Sequence, residues 1–362
     1  MRVASVFSGI GAPEYALKTL FPNHNIEIVF ACDCGETKRA LSEEEISQIR
    51  GIKNQEERQR KTKEIYSALR GEHRVKQTYF ANNPEVTEEQ WYDDIRFIDG
   101  KPYEGTIDFF VGGSPCQSFS LMGKRKGLDD VRGTLFYDYA RLIKEMKPKV
   151  FLYENVPGML LHEKGKTWAI IQNVFSSLGY RIFYKVLDSS KYGIPQRRKR
   201  LFVVGFLGTK AVPFQFPPEV ELKKKAFDFY EKTVPAKYFL KQKGFEFVTN
   251  PKYSGRASIN RPIIRTEKRN QQFNWNGDFV FVPRDHLLSR PDVLEQAYFG
   301  YYHGVLGTVR KLTPRECTSL MGFGNEFRIC PVDVDAYKQA GNSIAVPTIR
   351  AIIRSIFETG LL

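Results

Sequence analysis

Cys116, Glu154, Arg198 and Arg200 are the residues whose types and settings could do chemistry in this chain. Cys116 lies in Ser114-Pro115-Cys116-Gln117, just after an apolar run from Ile107 to Val111 and a Gly112-Gly113 pair. The run reads as a buried strand, and its end in an open α/β sheet is where ligands bind. Most cysteines are buried and inert, but Ser114, Gln117, Ser118 and Ser120 surround this thiol with polar groups. Glu154, in Tyr153-Glu154-Asn155-Val156-Pro157, ends a second strand, and Gln196-Arg197-Arg198-Lys199-Arg200 leads into a third. Alternation along an extended chain would put Arg198 and Arg200 on one face. A thiol, a carboxyl and a guanidinium are what addition to a pyrimidine ring requires. Thiolate attack on C6 drives electron density to C5, the carboxyl stabilises a proton at N3, and the guanidinium supports the ring carbonyl oxygen. C5 can then take an electrophilic methyl group. Any one of these residues alone reads more simply as part of a surface ion-pair network; the set does not.

These side chains need a scaffold with its strand ends on one edge. Val3 to Phe7 reads as a strand, Ser8-Gly9-Ile10-Gly11 as a turn, Ala12 to Leu20 as a helix with Pro13 in its first turn, and Ile26 to Ala31 as a second strand. Asp33 follows Gly11 by 33 − 11 = 22 residues, a spacing that suits a carboxylate holding ribose hydroxyls beside a glycine turn. The third glycine of a standard NAD pocket is missing. Further strands are expected at 107–111, 150–153, 180–187 and 201–206, with helices at 134–146 and 167–178 between them. The fold predicted is α/β, a doubly wound, mostly parallel, Rossmann-like sheet. Residues 42–76 are rich in Glu, Lys, Arg and Gln and predict two solvated helices around Gly51.

After Gly208 the texture changes, with Pro213, Pro217-Pro218 and Pro235 among aromatics and basic residues that include Arg256, Arg265 and Arg269. The organisation expected is a catalytic domain over 1–208 with a charged helical insertion at about 42–90, a smaller irregular, β-containing domain over 209–305, and a return to the first domain over 306–362. Thr313 and Pro314 should open a helix, Gly341-Asn342-Ser343 reads as a turn, and Pro347 to Phe357 as a closing helix.

Lys and Arg exceed Asp and Glu by 55 − 41 = 14 in 362 residues, a balance that favours a polyanionic partner. Five cysteines, with no signal-peptide pattern and no bilayer-length apolar run, predict free thiols in a reducing, cytoplasmic compartment. Cys32-x-Cys34 lacks a second ligand pair at zinc spacing, so no metal site is expected.

Taken together the motifs resemble those of the DNA (cytosine-5) methyltransferases, over nearly the whole chain outside 42–90 and 209–305. Phe7-Ser8-Gly9-Ile10-Gly11 is similar to the family's S-adenosylmethionine-binding motif, Asp33 stands where the family has its ribose acid, and Asp94-Ile95 resembles the adenine-contacting pair. Gly113 to Ser120 is similar to the nucleophile motif, Leu135 follows in a segment near the cofactor, and Glu154-Asn155-Val156 resembles the motif of the catalytic glutamate. Gln196-x-Arg198-x-Arg200 resembles the motif that holds the cytosine and the catalytic loop. Arg310 to Cys317 resembles the scaffold motif beside the recognition domain, and Asn342-Ser343 sits in the segment that completes the cofactor pocket.

The resemblance implies catalytic roles for Cys116, Glu154, Arg198 and Arg200. It implies cofactor contacts from Phe7, Gly9, Gly11, Asp33, Cys34, Asp94, Ile95, Leu135, Asn342 and Ser343. Duplex DNA is the implied partner, met by Gln117, Ser118, Ser120 and Gln196 at the site, by Lys124, Arg125 and Arg132 at phosphates, and by Arg256, Arg265 and Arg269 in the recognition domain. A monomer, either part of a restriction-modification system with a functional link to a restriction endonuclease or an orphan or phage methylase, is the expected setting. Cys34 stands where many members carry a larger apolar or aromatic side chain, and Asp94 follows Asp33 by 94 − 33 = 61 positions, more than in compact members. A tRNA cytosine-5 methyltransferase is the first alternative, though its Cys-Phe-Thr tripeptide is absent. A catalytically silent DNA-binding relative and, more remotely, a nicotinamide enzyme are the others.

Overall fold

The computed structural model describes residues 1–114, 135–208 and 212–362. They divide into a first unit of Met1–Leu187, Lys199–Pro218 and Thr348–Leu362, and a second of Asp188–Arg198 and Glu219–Pro347. The first unit runs β1 (Arg2–Val6), α1 (Ala12–Leu20), β2 (Glu27–Cys32), α2 (Glu43–Gly51), α3 (Gln55–Arg70), α4 (Arg74–Asn82), β3 (Trp91–Tyr92), β4 (Phe109–Gly112), α5 (Leu135–Met146), β5 (Val150–Asn155), α6 (Lys166–Ser177), β6 (Tyr180–Asp188) and β7 (Lys199–Leu207).

The seven strands form one sheet in the order β3-β2-β1-β4-β5-β7-β6. β1 to β5 pair with one another in parallel, and β7 runs antiparallel to β5. β4 and the first four residues of β5 are buried throughout, as parallel strands covered on both faces must be. Phe110, Phe136, Tyr139, Phe151, Tyr153 and Phe175 fill the core. β1, β2, β4 and β5 therefore end along one edge. The order turns outward from β1 in both directions, which opens a crevice at that edge.

The charged segment after β2 departs from its expectation. It folds into three helices, α2 to α4, which bury Ile49, Tyr66, Leu69 and Tyr79. Ser42 and Glu45 form the capping box that starts α2.

The second unit carries α7 (Gln242–Thr249), β8 (Ala257–Ile259), β9 (Gly277–Pro283), α8 (Pro291–Gln296), β10 (Gly300–Tyr302), β11 (Val305–Lys311), α9 (Pro314–Leu320) and α10 (Asp333–Asn342). Its sheet runs β10-β11-β9-β8 over a core of Leu240, Phe245, Val248, Phe279 and Val309. α9 is capped by Thr313 in a capping box with Glu316. Glu316 also takes a two-pronged, buried ion pair from Arg310 on β11, at 2.8 Å for each bond. Tyr337 on α10 donates to Leu312 O (2.6 Å). β11 pairs with β9, and Glu231 N donates to Glu316 Oε1 (2.8 Å), so residues 306–347 group with the second unit rather than returning to the first. Gly341 and Asn342, read as a turn, are instead the last residues of α10. Lys268 O comes within 2.2 Å of where a Cβ on Gly341 would sit, so only glycine fits there. The closing helix α11 (Val346–Phe357) ends the fold.

Candidate active site and cofactor loops

Glu154 and Arg200 meet at the carboxyl edge of the first sheet. Antiparallel register sets Glu154 opposite Phe202, so Arg200, two residues from Phe202, is its diagonal neighbour on the same face. Arg200 Nε lies 2.9 Å from Glu154 Oε1, with the two side chains only 18% and 16% exposed. β4 ends beside this pair. A Cβ on Gly113 would lie 2.6 Å from Glu154 O and 3.0 Å from Glu154 Oε2, which explains the glycine at that point.

Ser114 is pinned by two groups that the motif reading left without a role. Its hydroxyl bonds the Tyr153 hydroxyl at 2.7 Å, and its carbonyl accepts from Asn155 Nδ2 at 2.8 Å. Asn155 Nδ2 also donates to the Tyr153 hydroxyl, and Asn155 Oδ1 accepts from Val156 N. The Glu-Asn-Val tripeptide thus anchors the residue two positions before Cys116. Cys116 itself, with Gln117, Ser118, Ser120, Lys124, Arg125 and Arg132, lies outside the described residues.

Arg198 does not share the face of Arg200. β7 starts only at Lys199, and Arg198 follows two tight turns in which Gln196 N bonds Ile194 O and Arg198 N bonds Gln196 O. Alternation applies only where the chain is extended. Arg198 is 2% exposed and donates to Glu267 O (2.7 Å), Gly341 O (3.0 Å) and Ser343 O (2.6 Å). It is a scaffold of the second unit rather than a group of the Glu154 site. Gln196 is fully buried, donating to Leu320 O at 3.0 Å and accepting from Glu267 N at 3.0 Å.

The glycine turn after β1 has left-handed backbone at Phe7 (φ 55°), Gly9 (φ 55°) and Gly11 (φ 86°). A Cβ on Gly9 would meet nothing within 4 Å, so the backbone there is open to close approach by a ligand. Gly11 is different: its Cβ position faces Tyr79 at 3.2 Å and Asn83 at 3.0 Å, protein rather than ligand space. Asp33 Oδ2 accepts from Gly9 N (2.9 Å) and Asp33 Oδ1 from Gly35 N (2.8 Å). That holds the acid at the turn, while each oxygen keeps a lone pair for a hydroxyl.

The loops expected to hold the cofactor are otherwise held from behind. Asp94 is buried, with Arg96 Nη2 at 2.7 Å and the Tyr66 hydroxyl at 2.6 Å from its Oδ2. Ile95 is buried and gives its carbonyl to Arg141 Nη2 (2.8 Å). Cys34 is exposed, and Leu135, at the start of α5, packs against the main core. Asn342 and Ser343 belong to the second unit, Asn342 exposed and Ser343 buried.

A C-5 cytosine-specific DNA methylase family model matches residues 1–358. The chain belongs to this family. It is 35% identical to the type II methyltransferase M.SsoII of Shigella sonnei over 79% of its own length and 72% of that relative. Against M.HpaII of Haemophilus parainfluenzae it is 33% identical, over 78% of itself and 80% of the relative. In fold it is similar to the Entamoeba histolytica methyltransferase EhMeth, with a TM-score of 0.67, 19% identity, and coverage of 99% of this chain and 98% of that one. As a member of this family it is a DNA cytosine-5 methyltransferase whose cofactor is S-adenosylmethionine.

The methylase's second unit exposes fewer of its expected DNA-contacting arginines than its sequence suggests. Arg265 is spent on the backbone, donating to Gly255 O (3.0 Å), Arg256 O (3.0 Å) and Gly277 O (2.6 Å). Gln271 and Gln272, within the span expected to read bases, are buried. Arg256 and Arg269 are exposed. The β10–β11 hairpin, turning at His303 and Gly304, presents Tyr301 at 73% exposure beside Val305 and Leu306. Sequence reading missed it, although two tyrosines before a His-Gly pair give a hairpin signal. No described helix is long and apolar enough to cross a membrane.

Proposed function

We propose that this methylase flips a cytosine out of duplex DNA and methylates its C5 through a covalent Cys116 adduct, in the setting of a restriction-modification system. The observation that carries the reading is the Glu154–Arg200 pair at the end of β5, beside the segment that leads to Cys116. Neither C5 nor C6 can be attacked within the base stack, and extrusion costs a few kcal/mol that pocket contacts offset. The Cys116 thiolate adds to C6, and Glu154 holds the proton at N3 as electron density moves to C5. Arg200 orients Glu154 and supports the ring carbonyl oxygen. S-adenosylmethionine, when bound, supplies the electrophilic methyl group. Loss of the C5 proton then expels the Cys116 thiolate and restores the aromatic ring. The open backbone at Gly9 and the held carboxylate of Asp33 fit the adenosyl cofactor, with Phe7, Cys34 and the Asp94-Ile95 loop beside them.

Arg256, Arg269 and the Tyr301 hairpin form the recognition surface of this reading, with Lys124, Arg125 and Arg132 as sequence-independent phosphate contacts. The enzyme would act as a cytoplasmic monomer. Bisulfite sequencing of DNA from cells expressing the protein, run beside methyl transfer to purified tRNA, tests the proposal. Conversion-resistant cytosines at one repeated sequence are expected. Methyl transfer to tRNA with none to DNA would overturn it.

A further inference from the structure

The helices α2 to α4 fill the interval between Asp33 and Asp94, and their inner side chains end on the loops of the cofactor site proposed above. From α3, the Tyr66 hydroxyl donates to Asp94 Oδ2 at 2.6 Å, and Arg96 closes on the same carboxylate. Arg70, the last residue of α3, bridges two loops. Its Nη2 lies 2.6 Å from Asp93 Oδ1 and its Nη1 donates to Cys34 O at 3.0 Å, with both Arg70 and Asp93 side chains 4% exposed. His73 caps α4: its Nδ1 accepts from Lys76 N, which leaves the proton on Nε2 to donate to Asp33 O at 3.0 Å. Burial, then Arg70, lowers the His73 pKa and keeps the ring neutral for that role. Tyr79 of α4 and Asn83 just after it close on Gly11.

A solvated helical insertion has no need to bury an arginine against an aspartate. Such a pair adds little to stability after desolvation, and its best-attested use is to fix register. We infer that the insertion is a clamp, in which Arg70 is a positioning residue that sets the spacing between the Asp33-Cys34 loop and the Asp93-Asp94 loop for the adenosyl cofactor. The inference rests on the cofactor reading above and extends it to residues behind the loops. Loops ordered in advance lower the cost of ordering on binding.

Calorimetric titration of S-adenosylhomocysteine into the full-length protein tests the clamp. The proteins compared are wild type, Arg70→Ala, Arg70→Lys, Tyr66→Phe and the outward-facing control Lys61→Ala. Arg70→Ala should raise Kd about tenfold or more, the equivalent of ~1.4 kcal/mol. KM for S-adenosylmethionine should rise in step, while kcat at saturating cofactor and KM for DNA stay within about twofold. Arg70→Lys, which keeps the charge but loses the fork, should recover part of the affinity. A folded Arg70→Ala protein with wild-type Kd, or one whose kcat falls at unchanged KM, overturns the clamp. Should Arg70→Ala fail to fold, Tyr66→Phe decides: a severalfold weaker Kd supports the clamp and an unchanged one refutes it. If the wild type itself does not bind, the cofactor reading falls and the clamp with it. Wild-type binding with unaltered variants sinks the clamp alone.

Discussion

Arg198 and Arg200 stand two residues apart in one motif, and their replacement by alanine should produce opposite phenotypes. Arg198→Ala removes a guanidinium that donates to three carbonyls, those of Glu267, Gly341 and Ser343, in a site only 2% exposed. A hydrogen bond to a charged group contributes ~1.5–3 kcal/mol, and stranded buried acceptors add a penalty of similar size. Taking the low end for each of the three bonds gives about 4–5 kcal/mol. For a unit of this size ~2–4 °C is lost per kcal/mol, so the melting midpoint should fall by on the order of 10 °C or more. Arg200→Ala loses an ion pair whose partners are less than one-fifth exposed but lie at the sheet edge. Its midpoint should move by at most a few degrees, while the single-turnover methylation rate drops by ~10² or more as Glu154 loses its orientation. Differential scanning fluorimetry and rapid-quench methyl transfer on the same preparations read both effects. An Arg198→Ala protein of wild-type midpoint but no activity would refute the assignment and return Arg198 to the catalytic group.

Three further outcomes follow from the same geometry. Glu154→Gln keeps the shape and loses the acid, so the single-turnover rate should fall ~10²–10⁴-fold with cofactor Kd unchanged; a nearly unaltered rate would make Glu154 structural. Gly9→Asn places a side chain that tolerates left-handed backbone into the open space at that turn. Folding should survive and S-adenosylhomocysteine binding weaken severalfold, and undiminished calorimetric binding would move the cofactor elsewhere. Glu267, buried beside Cys317 and Arg198, has its pKa raised by burial from 4.5 to about 8. Between those values the folded state holds a proton that the unfolded state has lost, so this group's contribution to stability declines as pH rises from about 4.5 to about 8. Glu267→Gln should remove that decline, and denaturant titrations showing the same pH slope in both proteins would contradict it.

The elements that position the site were legible where the signal is local. α1 begins and ends where its Gly-x-Pro entry and apolar spacing place it, at Ala12–Leu20, and α9 starts from Thr313 as its cap chemistry requires. The strands follow from apolar runs, and their common edge from parallel winding. Arg198 was misplaced because it lies just before the start of β7, where alternation no longer applies, in tight turns that Gly193 and Pro195 introduce. Gln196, a DNA contact by resemblance, and Arg265, one of the basic residues of the irregular domain, instead spend their polar atoms on the second unit's own backbone. The helices after β2 looked like ordinary solvated surface because charge dominates them. Tyr66, Arg70 and His73 acquire meaning only when residues 23 to 40 positions away fold against them.

The central claim is covalent catalysis by Cys116, and one measurement tests it directly. Duplex DNA carrying 5-fluorocytosine at the target position cannot release the enzyme, because the proton normally lost from C5 is absent. The protein incubated with that DNA and S-adenosylmethionine should give a denaturant-resistant complex whose cross-linked peptide, read by mass spectrometry, contains Cys116. The complex should vanish in Cys116→Ala. A cross-link at any other residue, or normal methylation by the alanine variant, would contradict the account.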